Sequence, residues 1–165
     1  MEFLPSIIIL GLLALIAWRL AYARQLQADD APARKAAAMF LLVATLVQAA
    51  HFIEEATTGF HAAFPAFFGQ PPIPLAAFVS FNVTWLLIWL ASVPGTYSAN
   101  RFALFAAWFL ALAGMLNGIA HPLLAAAVGG YFPGLVTSPF IGIAGLLLWQ
   151  RLRRATRLQE SATTA

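Results

Sequence analysis

The chain has 165 residues, of which 62% are hydrophobic and only 9% are charged, and its mean hydropathy is +0.83. A soluble domain carries about 25% charged residues, so this composition excludes an ordinary water-exposed surface and indicates a membrane protein. The net charge of +3 comes from cations at segment ends rather than from one basic face, which gives no support for nucleic-acid binding. The absence of cysteine excludes disulfides and thiolate metal ligands.

Five apolar segments follow one another, each close to the ~20 residues that a membrane-spanning helix needs. They occupy residues 3–23, 36–56, 73–93, 102–128 and 134–150, and a basic, then polar tail covers 151–165. Prolines and glycines lie mainly at the segment boundaries, where helices begin and end. The sequence therefore predicts an all-α polytopic membrane bundle of about five transmembrane helices that forms a single domain over residues 1–150.

The distribution of cations predicts the orientation of this bundle. Arg19 lies near the end of the first segment, and the other eight lysines and arginines lie between the first and second segments, between the third and fourth, or after the fifth. The positive-inside rule then places the N-terminus outside and the C-terminus in the cytoplasm. In the first segment the cations follow the apolar run, which is the wrong order for a cleaved signal peptide, so we expect an uncleaved helix.

The second segment ends in the string His51-Phe52-Ile53-Glu54-Glu55. Ionisable groups inside a membrane are costly, so such a string indicates a functional site. On a helix, Gln48, His51 and Glu55 share one stripe, and Glu54 lies on its adjoining edge. The alternative interpretation is a helix end that emerges into the headgroups, where carboxylates are solvated.

Two later segments place polar side chains at a comparable depth. At 1.5 Å per residue, His51 lies ~22 Å above the cytoplasmic start of its helix, Asn117 ~24 Å and His121 ~30 Å, and Asn82 lies ~13 Å below the outer boundary. We therefore predict one cluster in the outer half of the membrane. Its catalytic candidates are the polar and ionisable residues His51, Glu54, Glu55, Asn82, Asn117 and His121.

Simpler roles are also open for the fourth segment. Asn117 and His121 could pin this helix to the second one through interhelical hydrogen bonds, which contribute about 0.6 kcal/mol each. Gly114 and Gly118 have the GxxxG spacing that lets a neighbouring backbone approach closely.

The two outer connections are rich in aromatic residues and contain a single ionisable group, His61. Their aromatic residues are Phe60, Phe64, Phe67, Phe68, Tyr131 and Phe132. Such segments are typical of an interfacial aromatic belt, which we favour over a lid that covers the site.

The string from His51 to Glu55 resembles the motif that names the HXXEE family of small bacterial integral membrane proteins, and Asn82, Asn117 and His121 resemble polar positions of its later helices. The resemblance covers the chain from the second helix to the fifth. It implies a location in the bacterial inner membrane and no particular mechanism. Five membrane helices around His and Glu residues are also similar, at the level of the fold, to emopamil-binding-type sterol isomerases.

Our first functional hypothesis is an intramembrane enzyme that isomerises or hydrates a lipid or isoprenoid by acid–base chemistry. Glu54 and Glu55 would repel each other if both were ionised, which favours a division of acid and base roles. His51 or His121 would shuttle the proton, while Asn82 and Asn117 would orient the substrate.

The second hypothesis is a mononuclear metalloenzyme. Its metal ligands would come from His51, Glu54, Glu55 and His121, a donor set that suits one Fe or Zn ion. The paired Glu-x-x-His motifs of di-iron bundles are absent from the sequence.

The third hypothesis is a proton or small-molecule transporter, or a protein that binds a hydrophobic ligand. The chain has no internal repeat, so an inverted-repeat transporter is not indicated within one copy, although a homodimer could form one. The expected partners are the lipid bilayer and a hydrophobic small molecule.

Overall fold

The computed structural model of the protein describes residues 4–26, 30–98 and 100–158, and the α-helical architecture predicted from the sequence is confirmed there. The elements, in chain order, are α1 (Leu4–Ala23), β1 (Arg24–Leu26), α2 (Ala31–Thr58), α3 (Phe60–Phe67), α4 (Leu75–Tyr97), α5 (Arg101–Val128), α6 (Ser138–Ala155) and β2 (Thr156–Leu158). Two features differ from the prediction: a short helix, α3, occupies the first outer connection, and the basic end of the chain pairs with the end of α1 as a two-stranded ribbon.

Local signals in the sequence set the ends of the two longest helices. The Asp30 carboxylate accepts a hydrogen bond from the backbone N–H of Ala33 at the start of α2, and the Asn100 side chain caps α5 in the same way. Gly59 and Gly129 follow α2 and α5 in the left-handed conformation that ends many helices. The two glycines end α2 within one turn of Glu55 and α5 about two turns after His121.

Helices α2, α4 and α5 are long and apolar enough to cross a membrane, with 28, 23 and 28 residues. Large side chains on their outer faces, such as Leu46, Leu87 and Leu123, are mostly exposed, which gives the bundle a surface suited to lipid. Helix α1 contributes a shorter apolar stretch, Ile8–Ala23. The count of five spans and the orientation of the termini stay predictions.

Helix α5 lies at the centre of the bundle and packs against α1, α2, α4 and α6. Its closest neighbour is α6, because Gly114 and Gly118 face Gly142 and Gly145 across the interface. A Cβ atom added at Gly118 would lie 2.6 Å from the Cα atom of Gly142. The GxxxG spacing thus allows the close backbone approach predicted from the sequence, and the partner helix is α6.

Substitution of Gly118 by alanine should lower the stability of the bundle. The new methyl group meets backbone that cannot move without separating α5 from α6, and overpacking of this kind costs about 1–3 kcal/mol. Thermal unfolding in detergent measures the effect. Gly11→Ala is the control, since a Cβ at Gly11 meets nothing within 4 Å, and a melting temperature that falls equally in both variants would contradict the prediction.

The cationic segments meet at one end of the bundle. The Arg24 side chain donates to the Thr156 hydroxyl at 2.8 Å and to the Thr156 carbonyl at 2.7 Å, next to the β1–β2 ribbon. The Arg101 guanidinium donates to the carbonyl of Tyr22 at 3.3 Å. The ends of α1 and α6 and the start of α5 are therefore held together, as the positive-inside rule requires of segments on one side of a membrane.

Candidate functional site

Two histidines and one glutamate meet inside the opposite end of the bundle. His51 and Glu55 lie one turn apart on α2, and His121 approaches from α5. Glu55 Oε1 lies 3.5 Å from His51 Nε2 and 3.3 Å from His121 Nε2. All three side chains are buried, and the two imidazole rings stand nearly perpendicular with centroids 4.8 Å apart. We call these three residues the His–Glu–His cluster.

The hydrogen bonds on the far side of each ring assign the tautomers. His121 Nδ1 lies 2.6 Å from the carbonyl oxygen of Pro133, which can only accept, so Nδ1 carries the proton. His51 Nδ1 lies 2.8 Å from the Thr137 hydroxyl, which donates its own proton to Glu54 and can therefore only accept from the ring. When both histidines are neutral, each Nε2 therefore presents a lone pair toward Glu55.

Lone pairs that point at one another repel unless a proton or a metal ion lies between them. His51 Nε2 has no hydrogen-bond partner although it is buried, and such an atom costs about 1–3 kcal/mol. The two distances to Glu55 match the edge of about 3.4 Å that nitrogen and oxygen ligands span around tetrahedral zinc. The three donor atoms lie within 4.8 Å of one another. The binding of an ion would therefore require only that the donor nitrogens of the two histidines move closer together.

Glu54 does not face the cluster but holds the loop that follows α5. Its two carboxylate oxygens accept four hydrogen bonds, which come from the hydroxyl groups of Tyr131 and Thr137 and from the backbone N–H groups of Val136 and Thr137. Partial burial and the neighbouring carboxylate raise the pKa of Tyr131, so its phenol stays protonated and donates. Glu54 thereby fixes the hydroxyl group that orients His51, an arrangement that is common around metal-bound histidines.

Gly134 brings this loop directly over the two imidazoles. Its φ angle is +87°, a conformation open mainly to glycine, and a Cβ atom there would lie 2.5 Å from His121 Cε1 and 3.0 Å from His51 Cε1. The ring centroids of Phe60 and Phe132 lie 5.3 and 6.3 Å from that of His121. The first outer connection thus covers the cluster with helix α3, in addition to any interfacial role its aromatic residues have.

The structure brings together three of the six residues that the sequence singled out. His51, Glu55 and His121 form the cluster, and Glu54 reaches it only through Thr137. Within the described residues, neither asparagine contacts the cluster through a hydrogen bond. The Asn82 amide donates to the Phe78 carbonyl in its own helix. Asn117 lies one turn from His121 on α5 and is half-buried.

Sequence reasoning missed Thr137, Pro133 and Gly134. Thr137 stands where an N-cap residue of α6 is expected, yet its side chain makes no capping bond because the hydroxyl is engaged with Glu54 and His51. Pro133 contributes only its backbone carbonyl, a group that every residue has, so its role cannot be recognised from the sequence. Only Gly134, next to a proline, carried a signal, and that signal indicates a turn.

Replacement of Thr137 by valine should weaken metal binding by about 10- to 100-fold, the usual effect of losing an outer partner of a metal ligand. Valine has a similar shape but cannot accept from His51 Nδ1, so the ring loses the bond that keeps its Nε2 lone pair inward. Titration with Co²⁺, followed by its visible absorption, measures the affinity. Thr137→Ser should keep nearly wild-type affinity. Equal losses of Co²⁺ affinity in both variants would show that the hydroxyl group of Thr137 does not support metal binding.

Fold and site together define a helical bundle that is apolar enough to span a membrane and that encloses a buried group of two histidines and one carboxylate. Comparison with protein-family models, with curated proteins and with solved structures finds no match. Membership of the HXXEE family therefore stays a prediction that rests on the motif residues.

Proposed function

We propose that the protein is an integral membrane metalloenzyme with one divalent ion held by His51, Glu55 and His121. The observation that carries the proposal is the convergence of two Nε2 lone pairs on one carboxylate oxygen in a buried site, with His51 Nε2 lacking any other partner. Glu54, Thr137 and Pro133 set the ring orientations from outside the cluster.

Zinc and ferrous iron are the ions that this donor set favours. Two histidines and one carboxylate bind zinc in hydrolytic enzymes and Fe(II) in oxygenases, and both arrangements keep at least one coordination position for water or substrate. Such an ion supplies a Lewis acid or an activated water. Phe60 and Phe132 lie beside His121 and make the surroundings of the cluster apolar.

The substrate that fits this setting is a lipid or isoprenoid-like molecule. The cluster lies near the ends of two helices that can span a membrane, under an aromatic cover that disfavours water-soluble polar molecules. In the proposed topology, with five spans and an external N-terminus, this end faces the outer side of the bacterial inner membrane. A substrate would then reach the ion from the bilayer.

Acid–base catalysis without a metal is the second candidate, because Glu55 Oε1 contacts both histidines and could share a proton with either. In that case Glu55, and not Glu54, is the group that exchanges protons with substrate, since all four donors around Glu54 already come from the protein. Isomerisation or hydration of a double bond is the matching reaction.

Metal analysis of the detergent-purified protein tests the proposal. We expect about one zinc or iron per chain when chelators are excluded, and loss of that metal in His51→Ala and His121→Ala. His61→Ala is a matched control, because His61 lies in α3 and its Nδ1 contacts the carbonyl of Ile73 at 2.9 Å instead of the cluster. Size-exclusion chromatography of each variant verifies that the fold is kept.

Two outcomes would overturn the metal centre. One is a wild-type protein that stays metal-free after anaerobic addition of Zn²⁺, Fe²⁺ or Co²⁺, which would leave acid–base chemistry. The other is metal retained in both cluster variants but lost in His61→Ala. Incubation of loaded protein with a bacterial lipid extract, followed by mass spectrometry, then searches for a product that the His121→Ala protein does not form.

A further inference from the structure

An apolar groove runs between α2 and α6 on the outside of the bundle, away from the His–Glu–His cluster. It has a volume of about 210 Å³ and is partly open at the surface of the bundle. Its lining is apolar throughout and consists of Phe40, Val43, Val47, Phe140, Ile143, Ala144 and Leu147. A groove of this kind can hold a hydrocarbon chain, but its lining side chains have no hydrogen-bonding groups for a polar ligand.

A single cation lies at the basic end of this groove. On α6, Phe140, Ile143, Leu147 and Arg151 follow at i, i+3, i+7 and i+11, so the arginine continues the stripe that lines the groove. The Arg151 guanidinium lies over the Phe40 ring, 4.8 Å from its centroid, which places the charge directly beneath the apolar wall of α2.

Arg151 has no anionic partner within the described part of the chain. No carboxylate of these residues lies within 4 Å of its guanidinium group. The same end of the bundle holds Arg24 and Arg101, whose guanidinium groups donate to neutral hydroxyl or carbonyl groups. The positive field at the foot of the groove is therefore available to an external anion.

We propose that an anionic phospholipid binds here, with its phosphate on Arg151 and one acyl chain along the groove. The groove supplies the apolar contact and the arginine supplies the charge, so the site distinguishes a lipid of net negative charge from a zwitterionic one. The upper end of the groove at Phe140 lies one turn from Thr137, so the acyl chain ends close to the loop that Glu54 holds. The site does not depend on the metal centre.

Native mass spectrometry with added phosphatidylglycerol or phosphatidylcholine tests this proposal. We expect one phosphatidylglycerol to bind the wild-type protein preferentially, and Arg151→Gln to bind it about fivefold more weakly, the effect of one cation beside an anionic lipid. Arg153→Gln is the matched control, because it removes the same charge two residues away on the opposite face of α6 and should leave the affinity unchanged.

A second variant tests the groove itself. Val43→Trp fills it from its open rim without entering the core, and we expect it to remove the bound lipid while Arg151 is intact. Leu46→Trp, on a neighbouring exposed face of α2 outside the groove, should retain the lipid. Equal binding of both phospholipids, or equal losses with Arg151→Gln and Arg153→Gln, would overturn the proposal.

Discussion

Glu55→Gln is expected to abolish metal binding, whereas Glu54→Gln, one residue earlier, should weaken it by only about 10- to 100-fold. Glu55 places one carboxylate oxygen against both Nε2 atoms, so glutamine removes a ligand and its charge together. We expect a loss of more than about 100-fold, since removal of a ligand exceeds the loss of an outer partner. The fold should persist, because no described residue of the loop after α5 donates a hydrogen bond to the Glu55 side chain.

Glu54→Gln acts through the loop. A glutamine turns an amide N–H group toward donors that previously met carboxylate oxygens, so at least one of Tyr131, Val136 and Thr137 loses its acceptor. Hydrogen exchange of residues 131–137 should rise in this variant and stay at the wild-type level in Glu55→Gln. Titration with Co²⁺ gives the affinities, and a larger loss of affinity in Glu54→Gln than in Glu55→Gln would contradict the assigned ligands.

Gly134→Ala should both destabilise the protein and impair the site. The left-handed backbone costs a non-glycine residue about 1–2 kcal/mol, and the new Cβ would lie 2.6 Å from His121 Nδ1, where it displaces either the ring or the loop. Displacement of the ring breaks the 2.6 Å bond to the Pro133 carbonyl that orients His121. We therefore expect a lower melting temperature together with weaker Co²⁺ binding.

The matched control for this variant is Gly129→Ala. Gly129 also has a positive φ angle, of +71°, but a Cβ there meets nothing within 4 Å, so only the backbone cost remains. Both variants should lose stability, and only Gly134→Ala should lose affinity for Co²⁺. Identical metal affinity in Gly134→Ala and the wild-type protein would show that the loop does not press on the imidazoles.

The helical part of the site could be predicted from the sequence because helical periodicity is regular. The spacing of Gln48, His51 and Glu55 predicted a shared stripe, and all three residues are buried. The rise per residue placed His51 and His121 at neighbouring depths, and their rings are in contact. The same geometry put Glu55 on the stripe of His51 and Glu54 about 100° around the helix, but it did not predict that a distant loop would take up the Glu54 carboxylate.

The part of the site that comes from the loop was not predictable in the same way. The positions of Pro133 and Thr137 depend on how the loop of residues 129–137 folds back over α2, and the contacts that decide this are 80 or more residues apart in sequence. Asn82 was expected in the cluster from its depth alone, but depth does not determine which way a side chain points around the helix axis. Its amide instead bonds within α4.

The ribbon between β1 and β2 has a consequence for the order of assembly during synthesis. Arg24 and Thr156 are separated by 132 positions, so the ribosome must synthesise all of the helices between them before this contact can form. Helix α1 packs mainly on α5, which is itself made late. Helix α1 therefore stays without its main packing partner until α5 has been made, and its contact with β2 is among the last to form.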